Sequence, residues 1–146
     1  MPEALTVIDA RLVIKAMLPN RETARCQAVL AHLQGQALVA PALWVYDIAS
    51  ALARAVQSGQ MTIPEGEAAL HQAMGLGVQI ILPDETQARL AYHQSLQVKG
   101  ASAYDSAYLV TAEGLGAQFW TADSRLETIF RANKPDWMHF AGEITI

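Results

Sequence analysis

Residues 5–18, "LTVIDARLVIKAML", decide how the chain folds. The first part, "LTVID", is short and apolar, as is typical of a parallel strand that is buried on both faces. The next residues, "ARLVIKAML", have the pattern of a short helix that ends before Pro19. A strand that leads directly into a helix predicts a βαβ unit and a parallel sheet.

The same alternation continues along the rest of the chain. We predict further strands at 37–40, 78–82, 117–123 and 137–141, and helices at 21–34, 42–59, 63–74, 84–97, 102–116 and 124–133. Right-handed crossovers would place these helices on both faces of the sheet. The predicted fold is one α/β domain over residues 1–146, a three-layer α/β/α sandwich with a four- to five-stranded, mostly parallel sheet.

Composition limits the class of protein. A chain of 146 residues with 52% hydrophobic and 16% charged residues can build one compact core. Its net charge of −4 argues against a broad basic face for nucleic acid, although a local basic rim is compatible with it. A lone cysteine, Cys26, forms no internal disulfide, and the amino terminus has neither a basic stretch nor a long apolar run. We therefore expect a cytoplasmic protein without a membrane span.

Four aspartates are predicted to converge on one edge of the sheet. Asp9 and Asp123 end predicted strands, whereas Asp47 and Asp105 lie in the amino-terminal halves of apolar helices. Ligands of open parallel sheets bind beyond the carboxyl ends of the strands, and the helices that follow strands begin at that edge. The four carboxylates are thus expected to share one crevice.

A cluster of carboxylates predicts a bound cation. Desolvation and mutual repulsion make such a cluster costly when it is ionised. An all-oxygen ligand set favours Mg²⁺ or Mn²⁺ over zinc. Taken singly, Asp9 and Asp123 also suit helix caps, whereas Asp47 and Asp105, interpreted as mid-helix residues, have no capping role.

A polar stripe on the third predicted helix has two interpretations. Asp47, Ser50 and Arg54 are spaced i, i+3 and i+7, so they share one face. They form either a solvated stripe held by an Asp47–Arg54 pair, or a site in which Ser50 orients Asp47 and Arg54 contacts a substrate phosphate.

Aromatic and histidine side chains are interpreted as structural. The four histidines lack the mutual spacing of metal ligands and are expected at the surface or in packing. Six aromatic residues are expected in the core or in an interface rather than as stacking platforms for bases. They are Trp44, Trp120, Trp137, Tyr46, Tyr104 and Tyr108.

Over roughly residues 5 to 130 the chain resembles PIN-domain ribonucleases, including the VapC-like toxins of bacterial type II toxin–antitoxin pairs. The resemblance rests on "VIDARLVIKAML", "LVAPALWVYDIASALARAV", "SAYDSAYLVTAEGLGAQFWTAD" and the following "SRL". It implies an endoribonuclease that depends on Mg²⁺ or Mn²⁺ and leaves 5′-phosphate and 3′-hydroxyl ends. The metal ligands that it implies are Asp9, Asp47, Asp105 and Asp123, with Thr121 as a supporting hydroxyl.

Three positions depart from the pattern of this family. Asp47 stands where Glu is usual, and Ser50 where Asn is common, so Asp47 is expected to reach a metal through water. Arg11 replaces a small hydroxyl residue; it either neutralises the cluster and weakens metal binding, or binds the scissile phosphate. Arg54 and Arg125 are further candidates for phosphate contacts, although Arg125 also suits a plain surface position in the first turn of a helix.

The resemblance also implies partners: an RNA substrate and an antitoxin whose carboxyl-terminal segment covers the site. The apolar, alanine-rich third and fourth helices suit a homodimer. An alternative is a PIN-like RNA-binding or assembly module that Arg11 has disabled, which should bind Mn²⁺ poorly. A phosphoryl-transfer or receiver-type domain would need a further strand-end aspartate with a lysine partner, and Asp84 suits that role poorly.

Overall fold

A five-stranded parallel sheet forms the centre of the computed structural model, which describes residues 4–145. The strand order is β3-β2-β1-β4-β5, and every neighbouring pair is parallel. The strands are β1 Leu5–Ile8, β2 Ala37–Pro41, β3 Gln79–Ile81, β4 Gln118–Thr121 and β5 Met138–Phe140. The predicted parallel sheet is confirmed, with five strands in the described part of the chain.

Helices connect the strands in the predicted order. They are α1 Ala10–Met17, α2 Thr23–His32, α3 Leu43–Gln57, α4 Ile63–Met74, α5 Glu85–Gln97, α6 Ala103–Leu115 and α7 Ser124–Ile129, followed after β5 by a 3₁₀ turn at Ala141–Glu143. The prediction was wrong about some boundaries. The first strand stops before Asp9 and the fourth before Asp123, because both aspartates serve as caps of the helices that follow.

Three layers enclose the core. Helix α6 packs on β1, β2 and β4, with α5 beside it, while α1 packs on β4 and against α2 and α3. Because the crossovers are right-handed, α1–α4 cover one face of the sheet and α5–α6 the other. Val7 and Ile8 of the central strand are fully buried, as is the free thiol of Cys26. Within residues 4–145, no helix is long and apolar enough to cross a membrane.

The position of β1 determines where a site can form. From β1 the chain moves to β2 on one side, and it later returns to β4 on the other side. Such a change of direction opens a crevice at the carboxyl ends of the two strands that flank it. Ile8 pairs with Trp120, and the Asp9 amide donates to the Trp120 carbonyl oxygen at 3.0 Å, so Asp9 and Thr121 lie side by side at this edge.

Candidate active site

A hydroxyl group links the two strand-end aspartates. The Thr121 Oγ1 donates to Asp9 Oδ2 at 2.6 Å, and the Asp123 amide donates to the same Oγ1 at 3.0 Å. Asp9 and Asp123 are only 6% and 5% exposed, and Thr121 is fully buried. Each carboxylate also caps a helix, since Asp9 accepts from the Arg11 amide and Asp123 from the Arg125 amide. Capping and membership of the cluster therefore coexist in both residues.

Asp105 caps a helix, a structural role that the sequence interpretation did not predict. Helix α6 begins at Ala103, so Asp105 lies in its first turn and forms a capping box with Ser102. Its Oδ2 accepts from the Ser102 amide at 2.9 Å, and the Asp105 amide donates to Ser102 Oγ at 3.1 Å. A carboxylate is favourable there because it satisfies a free amide near the positive end of the helix dipole. The interpretation of Asp105 as a mid-helix residue without a capping role was wrong.

Asp47 is held from the opposite layer of the protein. It is in the second turn of α3, and its Oδ2 accepts from the hydroxyl of Tyr108 at 2.9 Å. Arg54 Nη1 donates to Ser50 Oγ at 2.9 Å, so these two residues bond to each other rather than to Asp47. Neither the predicted Asp47–Arg54 pair nor the predicted orientation of Asp47 by Ser50 is present, because Tyr108 on α6 positions Asp47. The predicted contact of Arg54 with a substrate phosphate stays a prediction.

All four aspartates line one open cavity of about 430 Å³. They reach it from different elements: two follow strands β1 and β4, and two stand on α3 and α6. Ser50 and Arg54 line the same cavity, whereas Thr121 lies beneath it as a buried support. The other lining residues are Ala10, Arg11, Ile14, Lys15, Ala51, Ser102, Tyr104, Tyr108 and Arg125. The predicted site residues are thus brought together at the predicted edge of the sheet.

Positive side chains balance the carboxylates. Arg11 forms an ion pair with Asp123, and Arg125 bridges Asp105 at 2.8 Å and Asp123 at 3.2 Å. Arg125 also donates to the Gly100 carbonyl oxygen at 3.0 Å, which fixes its guanidinium over the cavity. Arg125 is exposed in the first turn of α7, as the plain interpretation predicted, but it also pairs with two carboxylates of the cavity. With Lys15 and Arg54, the cavity has as many cationic as carboxylate side chains.

Burial and charge set the protonation of the cluster. Burial raises the pKa of Asp9 to about 6, although the hydrogen bond from Thr121 opposes the change. Burial also raises the pKa of Asp47, against the bond from Tyr108. Burial would raise the pKa of Asp105 too, but the hydrogen bonds from Arg125 and the Ser102 amide outweigh it and hold that pKa below its ordinary value. Burial thus disfavours the ionised form of Asp9 and of Asp47, whereas the contacts of Asp105 favour its ionised form.

The donor chemistry of the cavity fits a hard divalent cation. Four carboxylates converge on it, and hydroxyl groups orient two of them. As the side chains stand, however, no three acidic, histidine or cysteine side chains within residues 4–145 are grouped closely enough to hold a metal ion. The guanidinium groups of Arg11 and Arg125 form ion pairs with Asp123 and Asp105 in the positions that a metal ion would take. A metal ion on Asp105 and Asp123 would therefore have to displace Arg11 and Arg125.

Some residues of the site were missed by the sequence interpretation. Tyr108 was assigned to the core or an interface; it is 4% exposed, but its hydroxyl holds Asp47. Its position three residues after Asp105 was the available signal, because that spacing places both on one helix face. Lys15, which donates to Glu22 at 2.6 Å and to the Ala122 carbonyl oxygen at 2.8 Å, had no such signal.

Comparisons with solved structures identify the fold. PAE2754 from Pyrobaculum aerophilum superposes with a TM-score of 0.66 and 17% identity, over 96% of this chain and 85% of that protein. A toxin–antitoxin complex from Klebsiella pneumoniae gives a TM-score of 0.62 and 16% identity, over 91% of this chain and 94% of the other. Mycobacterium tuberculosis VapC20, a toxin that cleaves the sarcin–ricin loop, gives a TM-score of 0.62 and 9% identity, over 90% of this chain and 92% of that protein.

These likenesses concern the fold. No family model matches the sequence, and no curated protein matches it either. The chain shares the α/β fold of VapC-type toxins over nearly its whole length, which confirms the predicted PIN-like architecture.

Proposed function

We propose that this chain is a metal-dependent endoribonuclease of the toxin type. The observation that carries the proposal is the convergence of four carboxylates, from two strand ends and two helices, on one cavity that also holds cationic side chains. Acidic side chains suit a divalent cation, and arginines suit the phosphates of a nucleic acid. The fold shared with a toxin that cleaves the sarcin–ricin loop supports RNA as the substrate.

Three aspartates would hold the cation directly or through water. Asp9, Asp105 and Asp123 are the proposed ligands of Mg²⁺ or Mn²⁺, and Asp47 completes the site. When bound, the ion lowers the pKa of a water molecule and stabilises negative charge on the phosphoryl oxygens. Thr121 keeps the Asp9 carboxylate turned toward the cavity through its 2.6 Å bond.

Asp47 is the proposed base of the reaction. Burial raises the pKa of Asp47, which favours proton uptake. Tyr108 donates to one oxygen of this carboxylate, and the other oxygen accepts no hydrogen bond from residues 4–145. The water oxygen attacks phosphorus and its proton passes to Asp47. The bond from phosphorus to the 3′ oxygen breaks, and that oxygen takes up a proton from solvent. The products are a 5′-phosphate and a 3′-hydroxyl end. Arg11, Arg54 and Arg125 are proposed to bind the phosphates.

The fold supports further proposals about partners. The toxin–antitoxin complex with the same fold favours an antitoxin that covers the cavity, and such a pair would act in the cytoplasm. The homodimer remains a prediction. Its surface would include the apolar groove between α3 and α4, which Leu52, Val56, Ile63 and Leu70 line.

A second candidate function follows from the arginines. The ion pairs of Arg11 and Arg125 with the carboxylates would favour an RNA-binding or assembly module, if these bonds kept metal out permanently. Such a module would bind RNA without cutting it, and it would show no appreciable affinity for Mn²⁺.

Cleavage of a mixed pool of structured RNA tests the proposal. Wild-type protein should cut the pool with Mg²⁺ or Mn²⁺ and not with EDTA, and Asp105→Asn should abolish cutting. Glu113→Gln is the matched control, because Glu113 is exposed on the same helix and does not line the cavity. Equal cutting by wild type and Asp105→Asn, or none by the wild type, would contradict a nuclease at this site.

A further inference from the structure

Two tyrosines with exposed rings are chain neighbours of carboxylates that line the cavity. Tyr104 is 73% exposed and lines the cavity, and Tyr46 is 77% exposed on α3. Each directly precedes one of the helix-borne carboxylates, Asp105 and Asp47. Of the two expected positions, core or interface, the exposure of both rings excludes the core, and the interface stays a prediction.

Neither ring has a visible role in holding the fold together. Within residues 4–145, no hydrogen bond involves either phenol oxygen, and neither ring pairs with another aromatic ring. Tyr108 differs in both respects, since it is buried, bonds to Asp47 and lies against Phe119. Exposed rings of this kind are available to a ligand.

Each tyrosine has a neighbour that bonds to an arginine. Tyr104 adjoins Asp105, the carboxylate that Arg125 contacts at 2.8 Å. Tyr46 is one helical turn before Ser50, so the two are neighbours on the surface of α3, and Ser50 bonds to Arg54 at 2.9 Å. Each tyrosine is thus one residue away from a contact with an arginine that lines the cavity.

We propose that Tyr46 and Tyr104 stack on unpaired nucleobases at either side of the phosphate that occupies the cavity. This inference rests on the proposed function and adds two residues that would contact unpaired bases of the RNA next to the cleaved phosphate. Single strands are held by cations that follow the backbone and by aromatic rings that stack on successive bases. Bases inside a duplex are already stacked on each other, so a continuous duplex offers no free face to these rings.

The surroundings of the rings favour nucleobases over a protein partner. Near Tyr104 lie the polar and charged side chains of Ser102, Asp105 and Arg125. Centres of protein interfaces are depleted of charged residues, whereas nucleic-acid sites combine charge with aromatic faces. An apolar protein contact would find a more suitable surface in the α3–α4 groove.

Binding of a single-stranded RNA oligomer that contains 2-aminopurine tests the proposal. The full chain is used as an Asp9→Asn variant with Mg²⁺, so that the oligomer stays intact. Tyr104→Ala and Tyr46→Ala should each weaken binding by about 5- to 100-fold and reduce the quenching of 2-aminopurine. The Phe variants at both positions should bind like the parent, since a phenyl ring also stacks.

Tyr92 provides the matched control. It is 58% exposed on α5 and is not among the residues that line the cavity, so Tyr92→Ala should bind RNA like the parent. Replacing the contacted base by an abasic nucleotide should remove the difference between the parent and Tyr104→Ala. That result would locate the lost contact on a base rather than on a phosphate.

Three outcomes would overturn the proposal. They are parental binding by both Ala variants, no RNA binding by the Asp9→Asn protein, or an Ala variant that changes the oligomeric mass in light scattering while binding RNA as before. The last would identify the rings as a protein contact. Cleavage by the wild type is measured separately, so loss of the stacking proposal leaves the test of the nuclease unaffected.

Discussion

Replacing Arg11 by serine should strengthen metal binding. Arg11 stands where the resembled family has a small hydroxyl residue, and its guanidinium bonds to Asp123, one of the proposed ligands. A cation that enters the site must displace this bond. Arg11→Ser removes the competitor and keeps the backbone amide that Asp9 accepts from.

The magnitude follows from the exposure of the two partners. The side chain of Arg11 is 53% exposed and that of Asp123 is 5% exposed. The pair therefore lies between a surface ion pair, worth about 0–1 kcal/mol, and a buried one, whose breaking costs about 3–5 kcal/mol. Arg125 remains 3.2 Å from Asp123 and limits the stabilisation that is lost with Arg11. We therefore expect the Arg11–Asp123 ion pair to contribute about 1–2 kcal/mol.

That free energy translates into two observable changes. The Kd for Mn²⁺, measured by calorimetry or by electron paramagnetic resonance of free Mn²⁺, should fall by about 5- to 30-fold in Arg11→Ser. The metal-free variant should melt about 3–6 °C lower than the wild type, because Asp123 loses a partner. If Arg11 also binds phosphate, the KM for RNA should rise in the same variant.

Arg89→Ser serves as the control. It breaks an exposed ion pair with Glu85 on α5, in which the side chains are 63% and 88% exposed, and it should leave Mn²⁺ binding unchanged. An unchanged or weaker affinity in Arg11→Ser would refute competition between the arginine and the metal.

Three further predictions concern the pocket and the core. Asp9→Asn should stabilise the metal-free protein at pH 7.5 but not at pH 4. Burial raises the pKa of Asp9 in the folded protein from the ordinary 3.8 to about 6, so the ionised carboxylate destabilises the fold by about 3 kcal/mol above pH 6. Melting curves in EDTA check this difference. Equal effects at both pH values would contradict it. Tyr108→Phe should lower kcat for RNA about tenfold with little change in KM, because Asp47 loses the 2.9 Å hydrogen bond that positions it. An unchanged rate of cleavage in single-turnover kinetics would exclude this positioning role. Leu109→Ala, at a fully buried site, should lower the free energy of unfolding by about 2–5 kcal/mol in denaturant titrations, and a loss below 1 kcal/mol would contradict its place in the core.

The sequence was sufficient for the fold because local patterns and chain topology agree. The apolar run before Asp9 and the helix after it predicted a βαβ unit, and parallel pairing then placed Asp9 and Asp123 at one edge of the sheet. Boundaries were less predictable, since an aspartate at a strand end belongs equally to the strand and to the cap of the next helix.

The finer features of the site depend on contacts between distant parts of the chain. The bond from Tyr108 to Asp47 joins residues 61 positions apart, and the ion pair of Arg11 with Asp123 joins residues 112 apart. Helical periodicity predicts which residues share a face of one helix, but not which side chain of another layer meets that face. The sequence also did not predict the exposure of Tyr46 and Tyr104, because aromatic residues in apolar helices are more often buried.

Mn²⁺ titration of isotope-labelled protein, followed by paramagnetic broadening of backbone amide signals, tests the central claim most directly. If the carboxylate cavity binds the cation, substoichiometric Mn²⁺ should broaden the amides of Asp9 to Arg11, of Thr121 to Arg125, of the second turn of α3 around Asp47 and of the first turn of α6. Asp123→Asn should weaken this effect sharply. Broadening centred on acidic residues outside the cavity, such as Glu22 or Glu143, or no broadening at millimolar Mn²⁺, would contradict the claim.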